Sequence, residues 1–333
     1  MKKRIGWIDS LRGIAMFFVI FGHAFYRRNN KIRNYIYSFH MPLFFFISGL
    51  TTKRSSMTLL QFLKKKCKDL LLPYLALNVF VFIYKITLQM AFGMYSTLTL
   101  KTSVEFTIKG FSSAIPCIQS WFILALFVID LMFFILTKLF KNDIFVTIAV
   151  IIIFVLAYMY KQTGETYLQY WHIDTAMFGL LFYYLGYVLM KYYHKIEKFI
   201  SNYWSLIIVI IVIPIAHYIQ YINGRVSMNL NNYKDINYFL ASSILSIIAI
   251  VVLANVFMKK DKFFSKIGVM SLFYLGYHGF LMIALKTYAP DILENDIYTF
   301  LVAAFTYLVM YYPSKFVYKN MPILIGKFKG ETV

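Results

Sequence analysis

Charge is scarce in this sequence, and acidic charge scarcest: Asp and Glu number 14 among 333 residues, and charged residues of both signs make up 14%. A soluble domain carries about a quarter charged residues. Cysteine is nearly absent, with only Cys67 and Cys117, which leaves no disulfide framework and no Cys-based metal site. The six His and few acids show no ligand spacing on one helix, so no metal is expected. No internal repeat, low-complexity tract or Pro/Gly-rich linker divides the chain, so residues 1–333 read as one domain with no appended soluble domain. A secreted or cytosolic globular fold is excluded.

What the sequence has instead is apolar length. Apolar residues make up 60% and aromatics 20%. They come in blocks of about twenty with almost no charge, such as Ser205 to Ile222 and Ile236 to Met258. A helix of that length rises roughly 30 Å and matches the hydrocarbon core of a bilayer. The expected fold is all-α, a polytopic transmembrane helical bundle. Its spans, about ten, fall near Leu11–Tyr26, Tyr35–Leu50, Leu70–Phe92, Gln119–Leu139, Ile144–Tyr160, Ile173–Lys191, Tyr203–Ile222, Tyr238–Phe257, Ile267–Leu285 and Ile297–Val317. Met1–Arg4 ahead of an apolar run resembles a signal peptide. It lacks a small-residue cleavage site and is followed by Asp9, Arg12 and His23, so a retained first span is expected.

The formal charge of +20 raises the question of nucleic acid. With the N-terminus and C-terminus both cytoplasmic, most Lys and Arg fall on inside segments: Lys2 to Arg4, the Lys53–Lys68 stretch, Lys138, Lys141, Lys191 to Lys198, Lys259 to Lys266, and the tail. That is the positive-inside bias, reinforced by anionic lipid on the cytoplasmic face. Topology explains the charge, and no nucleic acid is needed. Arg27, Arg28, Lys31 and Arg33 break the trend outside. They read either as a lapse in a statistical rule or as a basic rim for an anionic acceptor or lipid phosphate.

Chemistry must then come from polar groups inside the spans. Arg12 and His23 are eleven residues apart, three helical turns plus about 20°, so both project from one face, separated by roughly 16 Å. Ionisable side chains at such depth are costly and normally face a polar cavity. The alternative is a snorkelling Arg12 and a His23 that bonds a neighbouring helix.

Ile8-Asp9-Ser10-Leu11-Arg12-Gly13, ending ten residues on in His23, resembles the opening of the acyltransferase-3 family of bacterial membrane acyltransferases. Ser38 to Gly49, an aromatic run closing in Ser48-Gly49, is similar to that family's second motif. Two Arg separated by two residues before Leu-Pro-Tyr are common in the family; here Lys65 and Lys68 stand ahead of Leu72-Pro73-Tyr74. Lys keeps the charge and loses the bidentate fork of Arg. Ser120-Trp121-Phe122-Ile123, Trp171-His172-Ile173-Asp174 leading into Phe182 to Tyr187, and Ser271 to His278 resemble later segments, the middle one in fucose-4-O-acetylase-like members.

The resemblance implies an O-acyltransferase using acetyl-CoA or another acyl-CoA as co-substrate, with no permanently bound cofactor. It implies His23 as catalytic base and Arg12, Lys65 and Lys68 as the residues that bind the CoA phosphates. His40, Ser48, Trp121 and His278 are candidates for substrate contact, and Trp121 reads equally as an interfacial belt residue. Asp130 and Asp174 are candidates to orient the imidazole; a buried aspartate paired with Arg12 or Lys85 is the competing reading. The partners implied are acyl-CoA, a carbohydrate or lipid-linked glycan acceptor and membrane lipid, in the cell (cytoplasmic or inner) membrane. A transporter or flippase is the alternative class. It predicts inverted halves with interrupted spans, and the sequence shows no such symmetry.

Overall fold

The structure is a computed structural model, and it describes residues 6–25, 30–92, 99–111, 115–164, 167–288, 293 and 295–326. Among them the fold is all-helical, with one isolated bridge between Ser227 and Asn232 and no strand. In chain order the α-helices are α1 (Gly6–Ala24), α2 (Lys31–Thr51), α3 (Leu59–Lys66), α4 (Leu72–Phe92), α5 (Leu100–Lys109), α6 (Trp121–Leu139) and α7 (Asp143–Gln162). They continue as α8 (Ile173–Ile200), α9 (Leu206–Asn223), α10 (Ile236–Phe257), α11 (Phe263–Val269), α12 (Ser271–Tyr288), α13 (Asp296–Val309) and α14 (Tyr311–Asn320).

Eight helical stretches of the described residues are long and apolar enough to cross a membrane. Helix forms in the two other expected spans as well. The second, α2, is 21 residues long but carries Lys31, Arg33, Asn34, Ser38 and His40, which lower its hydropathy. The ninth is not continuous: α11 ends at Val269, Met270 leaves the helical ladder, and α12 starts at Ser271. The expected loop Thr51–Asp69 is also more ordered than its charge suggests. Thr58 caps α3 with a reciprocal Thr58/Gln61 box, the arrangement that satisfies two orphan amides at once. A π-helical turn, Cys67–Leu71, then joins α3 to α4.

The chain forms two compact units. The first holds residues 6–52, 185–228 and 232–315, and so α1, α2, the C-terminal part of α8 and α9 to α13. Its helices approach through small residues, as membrane helices do where no hydrophobic effect drives them together. A Cβ on Gly13 would overlap the Phe264 carbonyl, one on Gly268 the Asp9 carbonyl, and one on Gly186 the Phe46 carbonyl. A buried serine seam joins α2 to α9 and α10. Ser38 Oγ lies 3.1 Å from Ser242 Oγ, Ser243 Oγ donates to Ser38 O at 2.7 Å, and Ser242 Oγ donates to Ala216 O at 3.0 Å. Tyr307 closes the far side by donating to Gly13 O at 2.8 Å.

The second unit holds residues 53–184, 229–231 and 316–326. Arg54 joins the end of α6 to the start of α7, donating to the carbonyls of Thr137 and Phe140 and to the Asp143 carboxylate. Asn78 on α4 donates to Ser120 Oγ at 2.9 Å and accepts from Cys117 N at 3.0 Å. That bond fixes the turn entering α6.

Candidate active site

Arg12 and His23 lie on one unbroken helix, α1. At the first end, Arg12 Nη1 donates to Asp9 Oδ1 at 3.2 Å and Nη2 donates to Thr51 Oγ1 at 3.0 Å, the last residue of α2. The guanidinium is thereby held between the starts of α1 and the end of α2. Its side chain is 27% exposed, so the guanidinium is reached by solvent. Ser48, one turn back on α2, is half-buried and donates to Phe44 O at 2.9 Å within its own helix.

At the other end of α1 three histidines gather. The rings of His23 and His278 are 5.0 Å apart, His23 and Tyr37 5.9 Å, and Tyr37 and His40 4.9 Å. His40 and His278 are buried, while His23 is half-exposed. His40 Nδ1 lies 2.8 Å from Ile36 O and His278 Nδ1 lies 2.8 Å from Tyr274 O. A carbonyl only accepts, so both rings carry their proton on Nδ1 when neutral, and Nε2 of each is then the acceptor nitrogen. Tyr37 hydroxyl stands 3.4 Å from His23 Nδ1. Above the Tyr37 ring sits the Arg33 guanidinium, 4.6 Å from its centroid, a cation–π contact that holds the phenol in place.

Sequence reasoning named His23, His40 and His278 separately, and the fold brings them into one cluster in the first unit. It missed Tyr37, for which the signal was available: Tyr37 precedes His40 by three residues and so shares its helix face. Of the expected outer basic rim, Arg27 and Arg28 lie outside the described residues. Arg33 is no rim residue, being only 3% exposed over Tyr37, and Lys31 sits 4.9 Å from the Tyr221 ring centroid.

The other candidates belong to the second unit. Lys65 and Lys68 are exposed, one at the end of α3 and one in the π turn. Between them Lys66 turns inward and donates to Asp130 Oδ2 at 2.6 Å; Tyr183 donates to Asp130 Oδ1 at 2.6 Å. Asp130 is therefore paired, with Lys66 rather than with Arg12 or Lys85. Lys85 donates instead to Pro116 O at 2.9 Å. Lys66 was indistinguishable from its neighbours in a run of three lysines.

Asp174, in the first turn of α8, accepts from Thr175 N at 2.6 Å. Trp121 packs against His172, ring centroids 5.4 Å apart. Trp171 and His172 both take positive φ, 56° and 53°, a conformation that non-glycine residues adopt only where the surroundings impose it. Among the described residues, no group of three or more His, Cys, Asp or Glu is arranged to hold a metal ion.

The arginine and histidine three turns apart on α1, followed by the histidine-bearing α2, are the features that carried the resemblance. A family model for an acyltransferase domain, acyltransferase-3, matches residues 5–315. The chain belongs to the acyltransferase-3 family. Membership covers nearly the whole chain, implies acyltransferase activity, and together with the eight apolar helices makes this acyltransferase a multi-pass membrane protein. No curated protein and no solved structure matches it.

Proposed function

We propose that this acyltransferase moves an acetyl or other short acyl group from cytoplasmic acyl-CoA to a hydroxyl of a cell-surface or lipid-linked carbohydrate, with His23 as the general base. The observation that carries the reading is the position of His23: half-exposed, on the same helix as Arg12, with its ring against Tyr37 and His278. In this reading the chain crosses the cell membrane about ten times with both termini cytoplasmic. Arg12, Lys65 and Lys68 meet the CoA phosphates. The pantetheine arm runs along the Arg12–His23 face of α1, about 16 Å by helix rise.

The chemistry follows from the imidazole. With Tyr37 hydroxyl accepting from His23 Nδ1–H, Nε2 carries the lone pair. Nε2 takes the proton of an acceptor hydroxyl as that oxygen attacks the thioester carbonyl. The C–S bond then breaks, and the imidazolium returns its proton to the leaving CoA thiolate. In a route through an acyl-imidazole, Nε2 itself attacks the thioester carbonyl and CoA leaves as thiolate; the acceptor hydroxyl then attacks the acyl group, its proton passing to that thiolate as Nε2 departs. Beside His23, the candidates for acceptor contact are His40 and His278. The transporter reading has no support in the family assignment.

The test is turnover of radiolabelled acetyl-CoA by purified protein in nanodiscs, with and without a mixed glycan acceptor pool. Acceptor-dependent thioester loss that falls by about 100-fold to 10,000-fold in His23→Ala is the expected result, the usual worth of a general base. Turnover unchanged in the variant moves the base elsewhere. No turnover and no acetyl-CoA binding in folded protein refutes the reading.

A further inference from the structure

In the first unit a cavity of 480 Å³ opens between α11, α13 and α14, lined by Lys262, Phe263, Lys266, Leu308, Tyr311 and Tyr312. Lys262 and Lys266 are four residues apart, one turn, so their ammonium groups share a face. Among the described residues neither lysine has an acidic partner. Two unneutralised cations beside two tyrosines are the furniture of a membrane–water interface, where amphipathic rings sit at headgroup level and basic side chains meet phosphate.

A second feature leads into the same cavity. Along α13, Ile297, Leu301, Phe305 and Leu308 recur at spacings of four, four and three residues, and all are exposed. They form one apolar stripe on one helix face. From Ile297 to Leu308 it runs about 16 Å, roughly half the thickness of a bilayer's hydrocarbon core. Its last member, Leu308, is itself part of the cavity lining. A free phosphate compound would use the lysines and leave this stripe idle. A molecule with a charged head and an acyl chain one leaflet long uses both.

We infer that the Lys262/Lys266 cavity is a binding site for an acidic phospholipid, its phosphate on the two lysines and an acyl chain along the α13 stripe. The site is separate from the histidine cluster and does not depend on the acyl-transfer reading. Its position does suit a regulatory lipid. The far side of α11 carries the backbone contacts to α1 at Gly13 and Asp9, next to Arg12. Occupancy on one face of α11 therefore bears on the helix that holds Arg12 from the other.

The experiment is native mass spectrometry of detergent-purified protein titrated with phosphatidylglycerol or phosphatidylcholine of identical chains. Wild type retains phosphatidylglycerol in preference to phosphatidylcholine. K262Q/K266Q weakens that retention about thirtyfold, at about fivefold per lysine, while K262R/K266R keeps it. Equal retention of the two lipids by wild type overturns the proposal without recourse to any variant. So does unchanged retention by a folded K262Q/K266Q protein. Displacement of bound phosphatidylglycerol by an equal concentration of CoA or inorganic phosphate identifies a free-phosphate site and overturns the lipid assignment.

Discussion

The buried triad of Lys66, Asp130 and Tyr183 gives the sharpest test of what an acidic residue within a membrane span is for. Asp130 is 7% exposed and Lys66 23% exposed in their side chains, and both carboxylate oxygens are taken, one by each partner. Asp130→Asn keeps the shape and removes the charge. Stranding a fully buried partner typically costs about 3–5 kcal/mol. Lys66 keeps nearly a quarter of its surface exposed and can extend its flexible stem toward water, so about 2 kcal/mol is the expected loss, a factor of about thirty in the folding equilibrium. Tyr183→Phe removes one hydrogen bond to a charged group, about 1.5–2 kcal/mol. The double variant should lose less than the sum, because both act on the same carboxylate. Replacing both ions together with the phenol they would strand, K66M/D130L/Y183F, should return stability to within about 1 kcal/mol of wild type. Equilibrium unfolding in mixed micelles, read alongside acetyl-CoA turnover, measures all four. An Asp130→Asn protein that unfolds like wild type yet turns over at least about 100-fold more slowly would refute the structural assignment and make the carboxylate part of the chemistry.

Three further outcomes are expected. Gly13→Ala and Gly268→Ala each push a methyl group into a facing backbone carbonyl, so both should sharply reduce the yield of folded protein in size-exclusion chromatography; normal yield of both would mean that α1 and α11 do not meet there. Cys67 is exposed and Cys117 buried, with burial pushing the Cys117 thiol up to about 11. Maleimide at pH 8 should therefore modify one thiol per chain, C67S should block that reaction, and the residual Cys117 rate should rise about tenfold per pH unit below its pKa; equal rates at the two thiols would contradict the burial. Arg12→Ala should weaken acyl-CoA binding in a thermal-shift titration, while K65R/K68R should preserve turnover, since Arg restores a stronger phosphate fork; unchanged CoA affinity in Arg12→Ala would remove its phosphate role.

Much of the architecture was legible because membrane insertion writes itself into composition. Twenty-residue apolar blocks permit little other than helix, and the Arg12–His23 interval by itself implies a shared helix face. Local polarity and local breaks were harder to read. The apolar pattern of Ile267–Leu285 does not reveal that the helix breaks at Met270. Lys66 differs from Lys65 only in the face of α3 it occupies. Arg33 read as one of four outer basic residues, and it acquires a role only through Tyr37 and the histidines that α12 and α1 bring alongside. The positive φ of Trp171 has no sequence signature, since Trp does not favour that conformation.

The serine seam also has a temporal side. Ser38 and Ser242 are 204 residues apart in sequence. At ribosomal speeds of about 5–20 residues per second, α2 enters the membrane roughly 10–40 s before α10 is made. Through that interval the Ser38 hydroxyl lacks the partner it later finds on α10, and Gly13 likewise waits for α11. The early helices of this acyltransferase thus carry small-residue surfaces that stay unpacked until the second half of the chain arrives to complete them.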